Sequence, residues 1–412
     1  MKIGIFCRRE GESMYIDLFA GCGGLSLGLH NAGWNGLFAV EKNVDAFATL
    51  KYNLINNKDH FNWPEWLEVK NIDINILLKQ HMEELMGLRG TIDLVVGGPP
   101  CQGFSMAGKR QGNDLRNKLS NAYIEFVKQV QPSMIFFENV HGFTSGFTIK
   151  RKGVEKKGIP YSVKLKKALE KEGYIVASTI VKMSDYGVPQ NRKRFILFAT
   201  REKDPNRFFQ ILSNNREPFL NQRGLKIPIN VKQAIGDLER RHGEIESKDT
   251  IGFMNGKYGR KSSAYQKLMR KNNKRGAIPD SHRFAKQKDE TIELFERLMA
   301  VSNDAFRISP RMDLVEGLKK RGITPLKATT VCPTITSIPD DFIHYSEPRI
   351  MTVRESARMQ SFPDDFEFQG KYTTGGSRRK LEVPRYTQVA NAVPPLFAEQ
   401  VGLALWEILN DE

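Results

Sequence analysis

An α/β fold with a doubly wound, mainly parallel sheet is what the first 200 residues predict, followed by a smaller, irregular lobe. Three observations carry that expectation. Short segments rich in Ile, Val, Leu and Phe alternate with amphipathic stretches, as buried parallel strands and their crossover helices do. A glycine-rich turn follows the first of these segments. After Thr200 the rhythm fails, and 201–348 is polar, basic and irregular.

Taken in order, the strands are expected at 15–19, 36–40, 91–96, 134–137, 174–181 and 195–199. Amphipathic helices are expected at 121–130 and 163–172, the second ended by Gly173. One helix stands out in the irregular stretch, at Asp289–Val301. An apolar helical pattern returns at 392–409 after Pro394-Pro395, placed to rejoin the first domain. The division that follows is 1–204 catalytic, 205–383 a small lobe, and 384–412 a returning segment; 412 residues suit two domains.

Charge narrows the partners. Lys+Arg 63 against Asp+Glu 47 gives +16, and clustered cations gain affinity for a polyanion by releasing its counterions. Eight Lys/Arg and one acid fall in 150–167, and eight with no acid in 256–276, where Tyr258 and Tyr265 are interleaved. No apolar run approaches the ~18 residues of a membrane span, and the start lacks signal-peptide anatomy, so no membrane partner and a cytoplasmic setting are expected. Four cysteines without CxxC or Cys/His spacing predict neither a disulfide framework nor a metal site.

The chemistry-bearing segments sit at strand ends. Residues 17–24, Asp-Leu-Phe-Ala-Gly-Cys-Gly-Gly, turn tightly enough for a ligand to approach the backbone. Glu41 ends the second strand, where a carboxylate accepts ribose hydroxyls, and Asp73 offers a second acid; a nicotinamide dinucleotide stays open on these facts. Gly97-Gly98-Pro99-Pro100-Cys101-Gln102 follows the third strand and presents Cys101 at a crevice edge. Glu138 ends the next strand. In Gln190-Asn191-Arg192-Lys193-Arg194, alternation puts Arg192 and Arg194 on one face. Thiol, acid and cations thus meet at one sheet edge.

In order and almost end to end, the chain resembles the cytosine-C5 DNA methyltransferase family. The resemblance rests on DLFAGCGG (17–24), Glu41, Asp73, GGPPCQGFS (97–105), ENV (138–140), QNRKR (190–194), RIMTVRESARMQ (349–360) and QVANAVPP (388–395). It implies a Rossmann-like, S-adenosylmethionine-dependent methyltransferase domain with a smaller target-recognition domain. Cys101 would add to cytosine C6, its pKa brought below the free value of about 8.5 by cations. Glu138 would hold N3 and the 4-amino group, Arg194 would bind O2, and Arg192 would orient Glu138 or a phosphate. The cofactor would lie along Phe19, Gly21, Gly23, Glu41, Asp73 and Ile74, with Pro100, Leu119, Asn391 and Val393 completing its pocket. Residues 105–118 resemble the family's mobile loop. Gln102, Ser105, Lys109, Arg110 and Arg116, with Lys257, Arg260 and Lys261 in the lobe, are the expected contacts to double-stranded DNA.

Three departures stand out. Ala390 replaces a usual glycine and threatens to crowd the backbone; Asn191 replaces a usual Arg or Lys; and a basic stretch at 149–159 is read as an extra loop on DNA backbone. Rival readings are a tRNA cytosine-5 methyltransferase, against which stands the absence of Cys-Phe-Thr in 201–348, and an inactive DNA-binding homologue, against which stand Cys101 and Glu138. A bacterial or phage-borne monomer is expected, with a restriction endonuclease as a functional rather than physical partner, although no residue shows one.

Overall fold

The computed structural model describes residues 13–99, 115–146, 148–151, 154–302, 304–312, 314, 318, 322–374, 378 and 382–410. Six strands form the central sheet: β1 (Met14–Leu18), β2 (Asn35–Val40), β3 (Leu94–Gly97), β4 (Met134–Val140), β5 (Ile175–Lys182) and β6 (Lys193–Thr200), in the order β2-β1-β3-β4-β6-β5. The first four are parallel. β6 runs antiparallel to both β4 and β5. All six expected strands are therefore present, but the last two form a hairpin rather than continuing the parallel winding. The tight connection from 183 to 192 leaves no crossover helix, and without one consecutive neighbours must be antiparallel.

Alternation sends side chains to two layers. Phe136, Ile196 and Phe198 face one core; Ile135, Phe137, Phe195 and Leu197 face the other. The first layer holds α1 (Gly24–Asn31) and α2 (Val44–Leu50). The second holds α3 (Ile74–Gln80), α4 (Leu115–Val130) and α5 (Tyr161–Lys171). α5 ends where Gly173 takes a left-handed φ of 86°. Among the described residues, no helix is long and apolar enough to cross a membrane.

Beyond Thr200 come short helices, a small hairpin (Glu244–Glu246 with Met254–Gly256), and α6 at Asp289–Val301. The basic stretch after β4 also forms a hairpin, Thr148–Arg151 with Val154–Lys157. Three further helices close the chain: α7 (Val353–Met359), α8 (Arg385–Asn391) and α9 (Pro395–Asn410). α9 lies back on α1. A Cβ on Gly28 would sit 2.3 Å from that of Ala398, and the Trp34 indole donates to Gly402 O at 2.9 Å.

The 349–360 element is the anchor of the small lobe. Thr352 and Glu355 make a reciprocal capping box at the start of α7. Arg349 grips Glu355 through two bonds of 2.8 and 2.7 Å. Arg358, wholly buried, bonds Asp364 Oδ2 at 2.6 Å and Asp237 Oδ1 at 3.2 Å, and Arg354 bonds Asp280 at 3.1 Å. Around them the lobe shares a continuous apolar core with the first sheet layer, since Tyr265, Cys332 and Phe362 belong to the same cluster as Tyr15 and Phe136.

Candidate active site

β1 has β2 on one side and β3 on the other, so the chain leaves it in opposite directions and opens a crevice beyond the strand ends. The 17–24 turn lies there. Phe19, Gly21 and Gly23 all have positive φ, of 61°, 58° and 90°. No atom lies within 4 Å of where a Cβ on Gly21 would be, so the backbone faces open space. Beneath the turn, Asp17 is buried and accepts from Ser26 Oγ at 2.5 Å. Burial, opposed by the Ser26 bond and reinforced by the charge of Glu41, pushes the Asp17 carboxyl up to about 7.

Glu41 closes the turn from the β2 side. Its carboxylate accepts Gly21 N–H at 2.9 Å and Asn43 N–H at 2.6 Å, and burial raises its pKa. The Glu41 carbonyl accepts Ile72 N–H at 2.8 Å, which brings Asp73 alongside. Asp73 caps α3 through Asn75 N–H at 2.9 Å and pairs with Lys42 at 2.9 Å. Ile74 is buried and Leu119 half-buried, both against the apolar cluster that Phe19 also touches. Across the turn, Val393 O sits 2.5 Å from where a Gly24 Cβ would be; Val393 is half-buried and Asn391, ending α8, is exposed. Of the residues expected at the cofactor, Glu41, Asp73 and Val393 lie around this turn with Phe19, Gly21 and Gly23; Pro100 lies outside the described residues.

The chain leaves β3 through a narrow gate. A Cβ on Gly97 would meet Leu18 O at 1.9 Å, and one on Gly98 would meet Glu138 O at 1.9 Å. Two glycines are therefore required for the chain to pass between β1 and β4. The Asn139 amide then donates to Pro99 O at 3.0 Å and its own oxygen accepts Val140 N–H at 2.9 Å. Sequence reasoning gave Asn139 no role; its burial beside Glu138 is the feature that identifies it. Cys101, Gln102, Ser105, Lys109 and Arg110 lie outside the described residues, and Arg116 is described only as backbone of α4.

β6 is reversed, so its first residues, not its last, arrive at the crevice. Arg194 lies opposite Val140 and pairs through Nε with Glu138 Oε1 at 2.9 Å, both side chains largely buried. Arg192 does not make that contact. Its guanidinium donates to Ala390 O at 3.0 Å and Ala392 O at 3.3 Å. Of the two roles expected for Arg192, orienting Glu138 or meeting a phosphate, the first is not the contact it makes, because the strand's start carries Arg192 past the end of β4 toward the 389–393 segment. Asn191 is exposed, its carbonyl accepting Thr334 Oγ1 at 2.7 Å.

In the lobe, Lys257, Arg260 and Lys261 are exposed. Their neighbours are not the aromatic surface expected: Tyr265 is buried and donates to Arg358 O, while Tyr258 lies 4.0 Å under the Arg270 guanidinium, itself bonded to Asp237 at 3.0 Å.

Comparison with known proteins agrees with this layout. The family model for C-5 cytosine-specific DNA methylases matches residues 13–407. Type II methyltransferase M.DdeI of Desulfomicrobium norvegicum is 32% identical over 417 residues, 94% of this chain and 87% of its own. Type II methyltransferase M.XorII of Xanthomonas oryzae pv. oryzae is 31% identical over 414 residues, 96% and 85% of the two chains. Among solved structures, a prophage-encoded E. coli protein assigned as a DNA modification methyltransferase superposes with a TM-score of 0.64 at 24% identity, covering 97% of this chain and 100% of its own. The Dnmt2 methyltransferase of S. pombe superposes with a TM-score of 0.52 at 15% identity, covering 97% and 100%.

Proposed function

The chain belongs to the C-5 cytosine-specific DNA methylase family, and from that premise we propose that it methylates a cytosine within a specific duplex DNA sequence through covalent catalysis by Cys101. The observation that carries this reading is the Glu138–Arg194 pair, 2.9 Å apart, at the edge where the Gly97-Gly98 gate releases the Cys101 segment beside the 17–24 turn.

Cytosine C5 is too weak a nucleophile to take a methyl group unaided. The Cys101 thiolate would form a bond to C6, shifting electron density to C5, while Glu138 holds N3 and the 4-amino group. Arg194, already paired to Glu138, would fix that carboxylate and hydrogen-bond O2. Once C5 carries the methyl group, loss of its proton and elimination of the thiolate restore the ring. S-adenosylmethionine, when bound, supplies the electrophilic methyl group. The residues present fit it: open space at Gly21 and two acids, Glu41 and Asp73, for ribose and adenine; Phe19, Ile74, Leu119 and Val393 would supply apolar flanks, and Gly23, Pro100 and Asn391 would complete the pocket. A cytosine inside a duplex is out of reach, so the base is flipped, at ~2–4 kcal/mol. The part of 105–118 before α4, which begins at Leu115, would cover it, and 205–383 would read the sequence, with 384–412 returning to the 1–204 domain. Gln102, Ser105, Lys109, Arg110, Arg116, Lys257, Arg260 and Lys261 would meet the DNA. Action as a monomer in the cytoplasm, alongside a restriction endonuclease that need not touch it, completes the reading.

Transfer of labelled methyl groups to duplex DNA and to transcribed tRNA, measured side by side, tests the substrate; bisulfite sequencing of the DNA then gives the site. Label in tRNA alone would overturn the assignment. Cys101→Ala is expected to abolish transfer and leave duplex affinity within about threefold, since phosphate contacts dominate binding. Wild-type turnover by that variant would end the covalent mechanism.

A further inference from the structure

One fully buried polar cluster is used by none of the steps above. Gln360, the residue after α7, is 0% exposed and carries its amide into the junction between lobe and sheet. Its Nε2 donates to Val389 O at 2.8 Å and Ala392 O at 3.2 Å, with Ala390 O at 3.4 Å. Its oxygen accepts Gln190 Nε2 at 3.0 Å. Gln190, equally buried, also donates to Met359 O at 3.1 Å and accepts Ile335 N–H at 2.9 Å. Arg192, two residues on, grips the same Ala390 and Ala392 carbonyls from the other side. The carbonyls so held lie directly before Val393, whose own carbonyl rests against Gly24 of the cofactor turn.

We propose that Gln360 is a positioning residue, which fixes the 389–392 backbone between the Arg192 strand and the 17–24 turn so that the base-binding and cofactor-binding edges keep one register. The chemistry of the cluster favours this over mere packing. An apolar side chain of the same volume would fill the space, yet here an amide and a guanidinium converge on the Ala390 and Ala392 carbonyls at the end of α8, with Val389 O as a further acceptor of the amide. A donor that reaches three carbonyls within one turn of backbone constrains where that backbone lies; an apolar contact does not. Gln190 adds the second constraint, since it joins Gln360 to the strand that delivers Arg192 and Arg194.

This inference rests on the function proposed above, and the two fail separately. Cofactor affinity is measured with S-adenosylhomocysteine by calorimetry, turnover at saturating cofactor, and duplex affinity without cofactor, for wild type, Gln360→Leu and Gln360→Glu. Both variants are expected to lose about tenfold in cofactor affinity and about tenfold in kcat, the scale of losing buried hydrogen bonds, with duplex affinity within about twofold. Gln360→Glu keeps the shape and still accepts from Gln190, so it isolates loss of the donor and carries the test even if the leucine variant fails to fold. In a double-mutant cycle with Arg192→Lys, the kcat losses should be less than multiplicative, because both side chains act on one segment. Wild-type kcat and cofactor affinity in Gln360→Glu, equal losses in duplex affinity, or multiplicative effects in the cycle would each overturn the proposal. An inactive wild-type chain would instead overturn the proposed function.

Discussion

At Ala390 the sequence raised a fear of crowding that the fold answers: the residue lies inside α8, among ordinary helical dihedrals. Alanine there is worth up to ~1 kcal/mol over glycine. Asp17 is the opposite case, an unassuming motif residue whose surroundings make it unusual. Burial and the Glu41 charge, against the Ser26 bond, raise it from 3.8 to about 7. The folded state therefore keeps a proton that the unfolded chain releases. Its contribution is fully present below pH 3.8 and is lost progressively as pH rises to about 7. Asp17→Asn is expected to flatten that decline, an effect on the order of a few kcal/mol, read as a urea midpoint that no longer falls between the two pH values. A wild-type-minus-variant difference that stayed constant with pH would refute the assignment. Neither Asp17 nor Asn139 was legible beforehand, since what distinguishes them is burial against partners 9 and 40 residues away.

Elements were legible wherever local pattern decides them. The strands, α5 with its Gly173 stop, and α6 at Asp289–Val301 follow from apolar periodicity and stop signals. The direction of β6 was not, because pairing direction depends on the connection rather than on the strand's own residues. Nor was the pairing of Thr148–Arg151 with Val154–Lys157, in a basic stretch that reads as a loop. The same blindness affects the 256–276 run: charge identifies it, but only packing separates exposed Lys257, Arg260 and Lys261 from Arg270, which is committed to Asp237. Converting the three exposed cations to Gln should weaken duplex binding and lower the slope of log K against log salt by up to ~3 units, at about 0.9 per phosphate contact. An unchanged slope would remove them from the interface.

The molecule as a whole is held by a core that runs without interruption from the sheet into the lobe, and by an ion network at its centre. Arg358 there answers two buried acids, Asp237 and Asp364. Arg358→Met would leave Asp237 with Arg270 as its cation and Asp364 with Arg354, 4.0 Å away, and a loss of about 3–5 kcal/mol is expected, measured as unfolding free energy in urea; a loss under ~1 kcal/mol would show the network to be dispensable. The docking of α9 on α1 has a consequence of another kind, in the history of the chain rather than its final form. At roughly 5–20 residues per second of synthesis, tens of seconds pass on the ribosome between the emergence of α1 and that of the helix that covers it. Through that interval α1 lacks the cover that α9 gives Gly28, Leu29 and Ala32. Completion of this core therefore waits for the helix made last among those that build it.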